Sequence, residues 1–202
     1  MALHQSALPI PLGSGLYENR TVGAEKDPPT VGQKVRLRRV TVDDSDLLER
    51  WQSIDYVGEF NDFGLPGGPI RERIQKNGLI GVQGGTLIVE LEAGSQPIGT
   101  VSWRQVQYGP NPESFAWNIG INLIPEARGR GYGSEAQRVL VARLFATSGV
   151  NRIEAMTDID NLAEQRALEK AGFVREGVLR SAQFRPGGWH DLVVYSCIRG
   201  TL

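Results

Sequence analysis

The chain carries, at residues 128–134, the run Arg128-Gly129-Arg130-Gly131-Tyr132-Gly133-Ser134. The residues that follow it have the apolar spacing of an amphipathic helix. At a helix start several backbone N–H groups lack an intrahelical acceptor, and the helix dipole adds roughly half a positive charge there. Glycines leave the backbone uncovered by Cβ atoms, so an anion can approach closely. The run therefore predicts a pyrophosphate-binding loop at the start of a helix over about 131–146.

A second interpretation of the run is a polar turn that Ser134 caps, with Gln137 completing a capping box. The position of the run favours the phosphate loop. It follows a strand-like segment over 115–124, and open mixed sheets bind ligands at the carboxyl ends of their strands. We expect a Gly131→Val substitution to abolish anion binding and to leave the fold intact.

Periodicity along the rest of the chain predicts an α/β (α+β) domain. A meander of early strands is followed by strand, helix, strand, helix and strand, which is typical of a mixed sheet with helices packed on it. The predicted strands cover 35–40, 86–91, 97–106, 115–124, 152–157, 178–184 and 189–198, and another strand begins at 173–174. Three further helices are predicted: one follows the cap residues at 41–45 and ends at about 51–54, one runs from Pro69 to about Lys76, and one runs from the Asn161 cap to Gly172.

Length and composition bound the domain organisation. The 202 residues suit one domain, over 33–202, preceded by a Gly- and Pro-rich extension over 1–32 that we expect to be poorly ordered or to wrap. The 22 basic and 23 acidic residues are balanced, which argues against a nucleic-acid or membrane surface. The single cysteine, Cys197, excludes an intrachain disulfide and a cysteine-based zinc cluster. With no leader-like start and no long apolar run, we expect a cytoplasmic protein.

Three segments together resemble the GNAT acyltransferases, and within them the ribosomal-protein-alanine acetyltransferase-like (RimJ/RimL-type) branch. They are Arg128-x-x-Gly131-x-Gly133, the stretch from Asn161 to Phe173, and Trp189-His190-Asp191 ahead of a strand with Tyr195. The resemblance covers about 34–199. It implies a mostly antiparallel mixed sheet that splays at an acyl-CoA site, with helices on both faces.

The resemblance also implies the co-substrate and its contacts. The expected donor is acetyl-CoA or another acyl-CoA, without a metal. Backbone groups at 122–124 would pair with the pantetheine arm as another strand does, and N–H groups at 129–134 would hold the pyrophosphate. The implied cofactor-binding residues are Asn122, Leu123, Ile124, Arg128, Gly129, Arg130, Gly131, Tyr132, Gly133, Ser134, Asn161 and Arg166.

Other phosphate ligands fit the loop less well. A mononucleotide P-loop needs a lysine before its Ser or Thr, and this run has no lysine. A dinucleotide fingerprint follows the first strand of a βαβ unit, whereas this run follows several strands. ATP chemistry and hydride transfer are therefore disfavoured.

The implied reaction is direct acyl transfer from the thioester to a primary amine. An α-amine with a pKa of about 7.8 costs under about 1 kcal/mol to deprotonate near neutral pH, whereas a lysine amine costs roughly 4 kcal/mol. An α-amine could therefore use an ordered water as its base, and a lysine would need a dedicated one. The acceptor is a protein N-terminus or a small molecule such as an antibiotic or metabolite.

The catalytic positions depart from the family pattern. Glu164 stands where the branch has a serine, Gln183 where it has a glutamate, and Leu168 where many members have a tyrosine; Asn118 lacks a common acidic group. The remaining candidates are Glu164, Asn161, His190 and Asp191. Each has a structural alternative: Asn161 as helix N-cap, Glu164 as the closing residue of a capping box, and His190 bonded to a neighbouring carboxylate.

The predicted acceptor site draws on Glu59, Asp62, Trp103 and Trp117, although the tryptophans could equally belong to the core. Because the catalytic serine, glutamate and tyrosine are missing, a CoA-binding module with little or no catalytic activity is the alternative function. A homodimer is a further expectation.

Overall fold

The structure, a computed structural model, describes residues 30–65 and 68–201. Most of the predicted N-terminal extension, residues 1–29, lies outside this part. Residues Thr30–Val31, placed in the extension by the sequence, form a short strand that pairs with the first predicted strand of the domain.

The described residues form nine strands and five α-helices. The strands are β1 Thr30–Val31, β2 Val35–Arg39, β3 Ile80–Gly81, β4 Gly84–Leu91, β5 Pro97–Gln107, β6 Phe115–Leu123, β7 Arg152–Asp158, β8 Val174–Arg185 and β9 Gly188–Ile198. The helices are α1 Ser45–Arg50, α2 Ile54–Val57, α3 Ile70–Asn77, α4 Tyr132–Thr147 and α5 Leu162–Lys170, with 3₁₀ turns at Val42–Asp44, Glu59–Asn61 and Pro125–Ala127.

One sheet joins the strands in the order β1-β2-β4-β5-β6-β7-β9-β8, and β3 pairs with β4. Every neighbouring pair is antiparallel except β6 and β7, which are parallel. The predicted mixed, mostly antiparallel sheet is confirmed.

Helices cover both faces of the sheet because successive side chains of a strand point to opposite faces. Leu87 and Val89 of β4 belong to the main core, which α4 completes with residues such as Leu140. Ile88, between them, belongs to a second cluster with Leu48 of α1 and Ile74 of α3 among others. The α4 and α1/α3 layers therefore lie on opposite sides of the sheet.

Strands β6 and β7 separate part-way along their length. Their pairing consists of Trp117↔Ile153, Asn118↔Glu154 and Ile119↔Ala155. Beyond Ile119, β6 continues to Leu123 against β5 only, and β7 continues to Asp158 against β9 only. The sheet is thus splayed at the carboxyl ends of its two central strands.

Helix α4 begins differently from the capped-turn interpretation. Its N-cap is Gly131, and Ser134 is the third residue of the helix, where its hydroxyl donates to the Gly131 carbonyl at 3.0 Å. The proposed Ser134 cap is therefore wrong. A glycine with φ +82° ends the loop, so no side-chain cap is needed to turn the chain into the helix.

Candidate active site

Two cavities meet where β6 and β7 separate. The loop cavity, of about 580 Å³, lies between the 128–134 loop, α5 and the end of β6. The sheet cavity, of about 900 Å³, lies over β4 to β7 and under α3. Five residues line both cavities: Val57, Phe60, Asn61, Ile121 and Asn122.

The glycines of the 128–134 loop leave the backbone open to the loop cavity. Gly129 has φ +73° and Gly131 has φ +82°, a left-handed conformation that other residues adopt only at a cost. Nothing lies within 4 Å of the position that a Cβ on Gly129 would take. Since the loop leads directly into the free N–H groups of α4, this geometry fits an anion.

Basic side chains add positive charge around the same loop. Arg166 and Lys170, one helical turn apart on α5, line the loop cavity. The Lys34 ammonium lies 3.9 Å from the position that a Cβ on Gly131 would take. Lys170 is missed by the sequence analysis, although its spacing from Arg166 places it on the same helix face. Lys34 comes from the distant start of β2, and no local pattern indicates it.

Arg128 has structural contacts in addition to the predicted phosphate contact. Its Nε donates to the Leu123 carbonyl at 2.9 Å, and a terminal nitrogen donates to the Tyr56 carbonyl. Its guanidinium lines the loop cavity, but it also ties α2 to the free end of β6. A structural tie of this kind needs a residue 72 positions away, which explains why sequence spacing did not indicate it.

The other predicted cofactor residues divide into two groups. Asn122, Leu123, Gly133 and Ser134 line the loop cavity with the two left-handed glycines. Ile124, Arg130 and Tyr132 do not. The Ile124 amide donates to the Ile98 carbonyl at 3.0 Å, Tyr132 packs against the main core, and Arg130 is exposed.

Asn161 and Glu164 both line the loop cavity at the start of α5. The Asn161 side-chain oxygen accepts from the Glu164 amide at 3.2 Å, so Asn161 is the predicted N-cap. The Asn161 amide N–H instead donates to the Asp158 carbonyl. The Glu164 carboxylate therefore does not close a capping box, and the alternative proposed for it is wrong.

The Glu164 carboxylate is held from α4. Gln137 Nε2 donates to Glu164 Oε1 at 2.8 Å, and Gln137 is almost wholly buried. Burial raises the pKa of Glu164 from 4.5 to about 7, and the Gln137 hydrogen bond lowers it by less. A carboxyl group with this pKa can give or take a proton near neutral pH.

His190 and Asp191 point to separate partners. His190 Nδ1 lies 3.1 Å from an oxygen of Asp158 at the end of β7, and the Asp158 carboxylate also binds Arg185. The Asp191 carboxylate accepts from the backbone N–H of Ser181 at 2.7 Å, inside the irregular pairing of β8 and β9. The structure thus gives His190 a neighbouring carboxylate, as its structural alternative requires, and the carboxylate is Asp158.

The predicted acceptor residues fall in different places. Trp103 lines the sheet cavity, and Glu59 lines the loop cavity. The Asp62 carboxylate accepts from the Gly64 amide at 2.8 Å and lines neither cavity. Trp117 is 8% exposed, belongs to the main core and donates to Ser148 Oγ at 3.2 Å. The core alternative therefore describes Trp117, and the acceptor role does not.

An acidic group does lie beside Asn118, although it comes from another strand. Glu154 of β7 is directly opposite Asn118 in the short parallel pairing and is fully buried. It accepts from Tyr108 Oη at 2.5 Å, from Arg152 at 3.1 Å and from the Asn118 amide at 3.4 Å. The network anchors the two central strands at the point where they begin to separate.

These features, a splayed pair of central strands and a glycine loop at a helix start, are matched by a known family. The family model described as "Acetyltransferase (GNAT) domain" matches residues 34–174. The chain belongs to the GNAT acetyltransferase family. Over 81 residues it is 40% identical to the uncharacterized N-acetyltransferase YoaA of Bacillus subtilis (strain 168), covering 40% of this chain and 46% of YoaA. In that match the GNAT chain spans about half the length of its relative.

Solved GNAT structures share the fold. RimL, a ribosomal L7/L12 alpha-N-protein acetyltransferase in complex with coenzyme A, superposes with a TM-score of 0.70 at 19% identity, over 83% of this chain and 96% of RimL. The spermidine N-acetyltransferase of Vibrio cholerae, in complex with CoA and spermine, gives 0.68 at 19% identity, over 84% and 98%. No helix within the described ranges is long and apolar enough to cross a membrane.

Proposed function

We propose that the protein transfers an acetyl group from acetyl-CoA to a primary amine of a protein N-terminus or a small molecule. One observation carries the proposal: the loop cavity and the sheet cavity meet at the free end of β6. One cavity offers a glycine loop and basic side chains for a phosphorylated donor. The other offers a polar surface for an acceptor.

The residues of the loop cavity suit acyl-CoA. The N–H groups of the 129–134 loop and the start of α4 would hold the pyrophosphate, with Lys34, Arg166 and Lys170 adding charge. The Leu123 amide, which faces away from β5 on the free side of β6, would donate to the pantetheine arm as an edge strand does to a further strand, whereas the Asn122 backbone faces Thr100 of β5. When bound, the co-substrate supplies a thioester, which is an activated acyl group.

The transfer needs one bond to form and one to break. The neutral amine nitrogen attacks the thioester carbon, a C–N bond forms, and the C–S bond breaks. The sulfur leaves as a thiolate and takes up one proton, while the new amide nitrogen releases one. We assign Glu164 as the donor of the proton that the thiolate takes up, because Glu164 lines the loop cavity and burial keeps its pKa near neutral.

Gln137 can hold Glu164 in both protonation states. As oriented, its amide N–H donates to the carboxylate, and its buried Oε1 has no partner in the part of the chain that is described. Rotation of the amide by half a turn would present that oxygen to a protonated Glu164 instead. Gln137 is therefore a positioning residue for a carboxyl group that changes protonation.

For the amine proton we propose an ordered water as the acceptor, which is sufficient for an α-amine. His190 lines neither cavity, and its Nδ1 is engaged by Asp158. Asp191 is engaged by the β8 backbone. The proposed mechanism therefore leaves both residues out of the proton transfers and keeps Asn161 and Glu164 at the donor end.

A coupled pair of measurements tests the proposed function. Isothermal titration calorimetry measures CoA binding, and a thiol-release assay measures acetyl-CoA turnover with a panel of α-amine and small-molecule acceptors. We expect CoA binding together with acceptor-dependent thiol release. Binding with no acceleration by any acceptor would favour the CoA-binding module, and no binding would refute both functions.

A further inference from the structure

The floor of the sheet cavity is a polar face of the sheet. Thr86 of β4, Ser102 of β5 and Gly120 of β6 lie in one cross-strand row, and Thr100 and Asn122 lie in the next. All five line the cavity. Small side chains and a glycine keep this floor open, so an extended acceptor can lie along it.

Three basic side chains line the far end of the cavity. Arg73 and Lys76 are three residues apart on α3, and Arg104 projects from β5, where it pairs with Gly84 of β4. All three are exposed. In the described ranges, no hydrogen bond or ion pair joins their side-chain nitrogens to another residue.

The cavity has no free negative charge to balance them. Among its described lining residues, Asp158 is the only one with a carboxylate. That carboxylate is 3% exposed and binds both Arg185 and His190. The field inside the cavity is therefore positive, which attracts anionic groups and repels a polycationic acceptor.

The basic end lies some distance from the donor. Arg104 is opposite Asn118, and Asn122, which borders the loop cavity, is four residues further along β6. With about 3.4 Å per residue and about 4.8 Å between strands, the Cα atoms of Arg104 and Asn122 are roughly 14 Å apart. About four extended peptide residues cover such a span, at about 3.4 Å each, and fewer are needed where the side chains of Arg104 and of the acceptor reach towards each other.

We infer that the acceptor is an extended primary amine that carries a carboxylate or phosphate, which Arg73, Lys76 and Arg104 bind at the far end of the sheet cavity. This inference rests on the proposed acetyl transfer. An acidic peptide N-terminus and an anionic small molecule share this chemistry. In both, the anion fixes the amine in the direction of the loop cavity.

Matched acceptors test the inference. One pair is the tetrapeptide Ala-Gly-Glu-Gly, with an amidated C-terminus, and its Gln analogue; a second pair is the longer 8-aminooctanoate and its amide; spermidine is the polycation. For the enzyme and the variants Arg104→Gln and Lys76→Gln, kcat/KM is measured at low and high salt. Fluorescence anisotropy with labelled peptides gives affinities for the CoA-saturated enzyme, independently of turnover. Arg138→Gln, an exposed arginine on α4 outside both cavities, is the control.

We expect the Glu peptide to exceed the Gln peptide about tenfold in kcat/KM and affinity, with a smaller ratio at high salt. Arg104→Gln and Lys76→Gln should each reduce the ratio, and Arg138→Gln should not. A preference for 8-aminooctanoate over its amide that exceeds the peptide preference would assign the site to small molecules. Equal kcat/KM and equal affinity for the acid and the amide of each pair would overturn the inference, and so would a higher kcat/KM for spermidine than for the acids. Tighter binding of the Glu peptide without turnover would support the inference and refute the proposed function.

Discussion

Gly131 combines two requirements in one residue: a left-handed backbone, with φ +82°, and an open approach to the loop. Any side chain there is strained whatever space surrounds it, at about 1–2 kcal/mol for a non-glycine residue. The Gly131→Val substitution would therefore cost stability as well as anion binding. A test of the anion loop has to separate the strain from the lost contact.

We predict that Gly131→Ala lowers the free energy of unfolding by about 1–2 kcal/mol and weakens CoA binding about tenfold or more, because the altered loop no longer presents its N–H groups. Gly94→Ala is the matched control. Gly94 also has a left-handed φ, +85°, has nothing within 4 Å of an added Cβ, and lines neither cavity, so it carries the strain without the anion contact. Calorimetric titration with CoA and thermal melts measure both effects; equal CoA affinity in the two variants would contradict the loop assignment.

Glu164 predicts a pH dependence of stability. Its pKa is raised in the folded state to about 7 from 4.5, so the folded protein binds more protons than the unfolded chain between these values. The stabilising protonated form is fully present below pH 4.5 and is lost as the pH rises through 7. Relative to Glu164→Gln, the free protein should lose about 3 kcal/mol across this window, which urea unfolding at several pH values would measure. Parallel pH profiles of the two proteins would contradict the raised pKa.

The same substitution tests the proton donor. Glu164→Gln preserves the side-chain shape and removes the proton, so we expect kcat to fall about 100-fold and the loss of activity above pH 7 to disappear. Thiol-release rates from pH 6 to 9 check both. Gln137→Leu should leave the pKa of Glu164 higher and move the alkaline limb upward, because the hydrogen bond that favours the carboxylate is gone. Unchanged turnover in Glu164→Gln would remove Glu164 from the mechanism.

At the scale of elements, one side chain at the start of α5 offers different atoms to helix stability and to the proposed donor site. Asn161 Oδ1 caps the helix, and in the described structure its Nδ2 has no hydrogen-bond partner and is available to the loop cavity. We predict that Asn161→Ala loses about 1 kcal/mol of stability as well as activity. Asn161→Asp, which keeps the capping oxygen, should keep the stability and lose activity. Stability and kcat measured on both variants separate the roles, and full activity in Asn161→Asp would confine Asn161 to capping.

The elements themselves follow closely from local pattern. Helix α4 was expected over 131–146 and covers 132–147, and β5 and β6 differ from their predicted ranges by one residue. Periodicity is a short-range property, so it is sufficient for such bounds. The partners of the site residues are a different matter. Gln137 reaches Glu164 across 27 positions because α4 and α5 pack side by side, and Asp158 reaches His190 because β7 and β9 are neighbours. Spacing along the chain carries no information on these contacts.

At the scale of the whole molecule, the β8–β9 hairpin exposes an unusual amount of apolar surface. Val178, Leu179, Phe184 and Trp189 are all exposed, and the last two rings contact each other edge to face at 5.4 Å. Apolar surface of this kind commonly marks an association site, so the expected homodimer remains our prediction. Light scattering after size-exclusion chromatography should give twice the mass of one chain. The double substitution Phe184→Ser with Trp189→Ser should reduce the measured mass to that of one chain. A monomer at all concentrations would contradict it.

The expected cytoplasmic location also stays a prediction.

Arg128 connects the walls of the loop cavity and the sheet cavity. Its hydrogen bonds to Tyr56 and Leu123 attach the segment that forms the shared wall of both cavities to the free end of β6. A ligand that orders one partner of this tie therefore orders the other. If bound CoA changes the dissociation constant of the acceptor by some factor, bound acceptor must change the dissociation constant of CoA by the same factor. Arg128 is thus a physical link between the two cavities through which binding in one affects binding in the other.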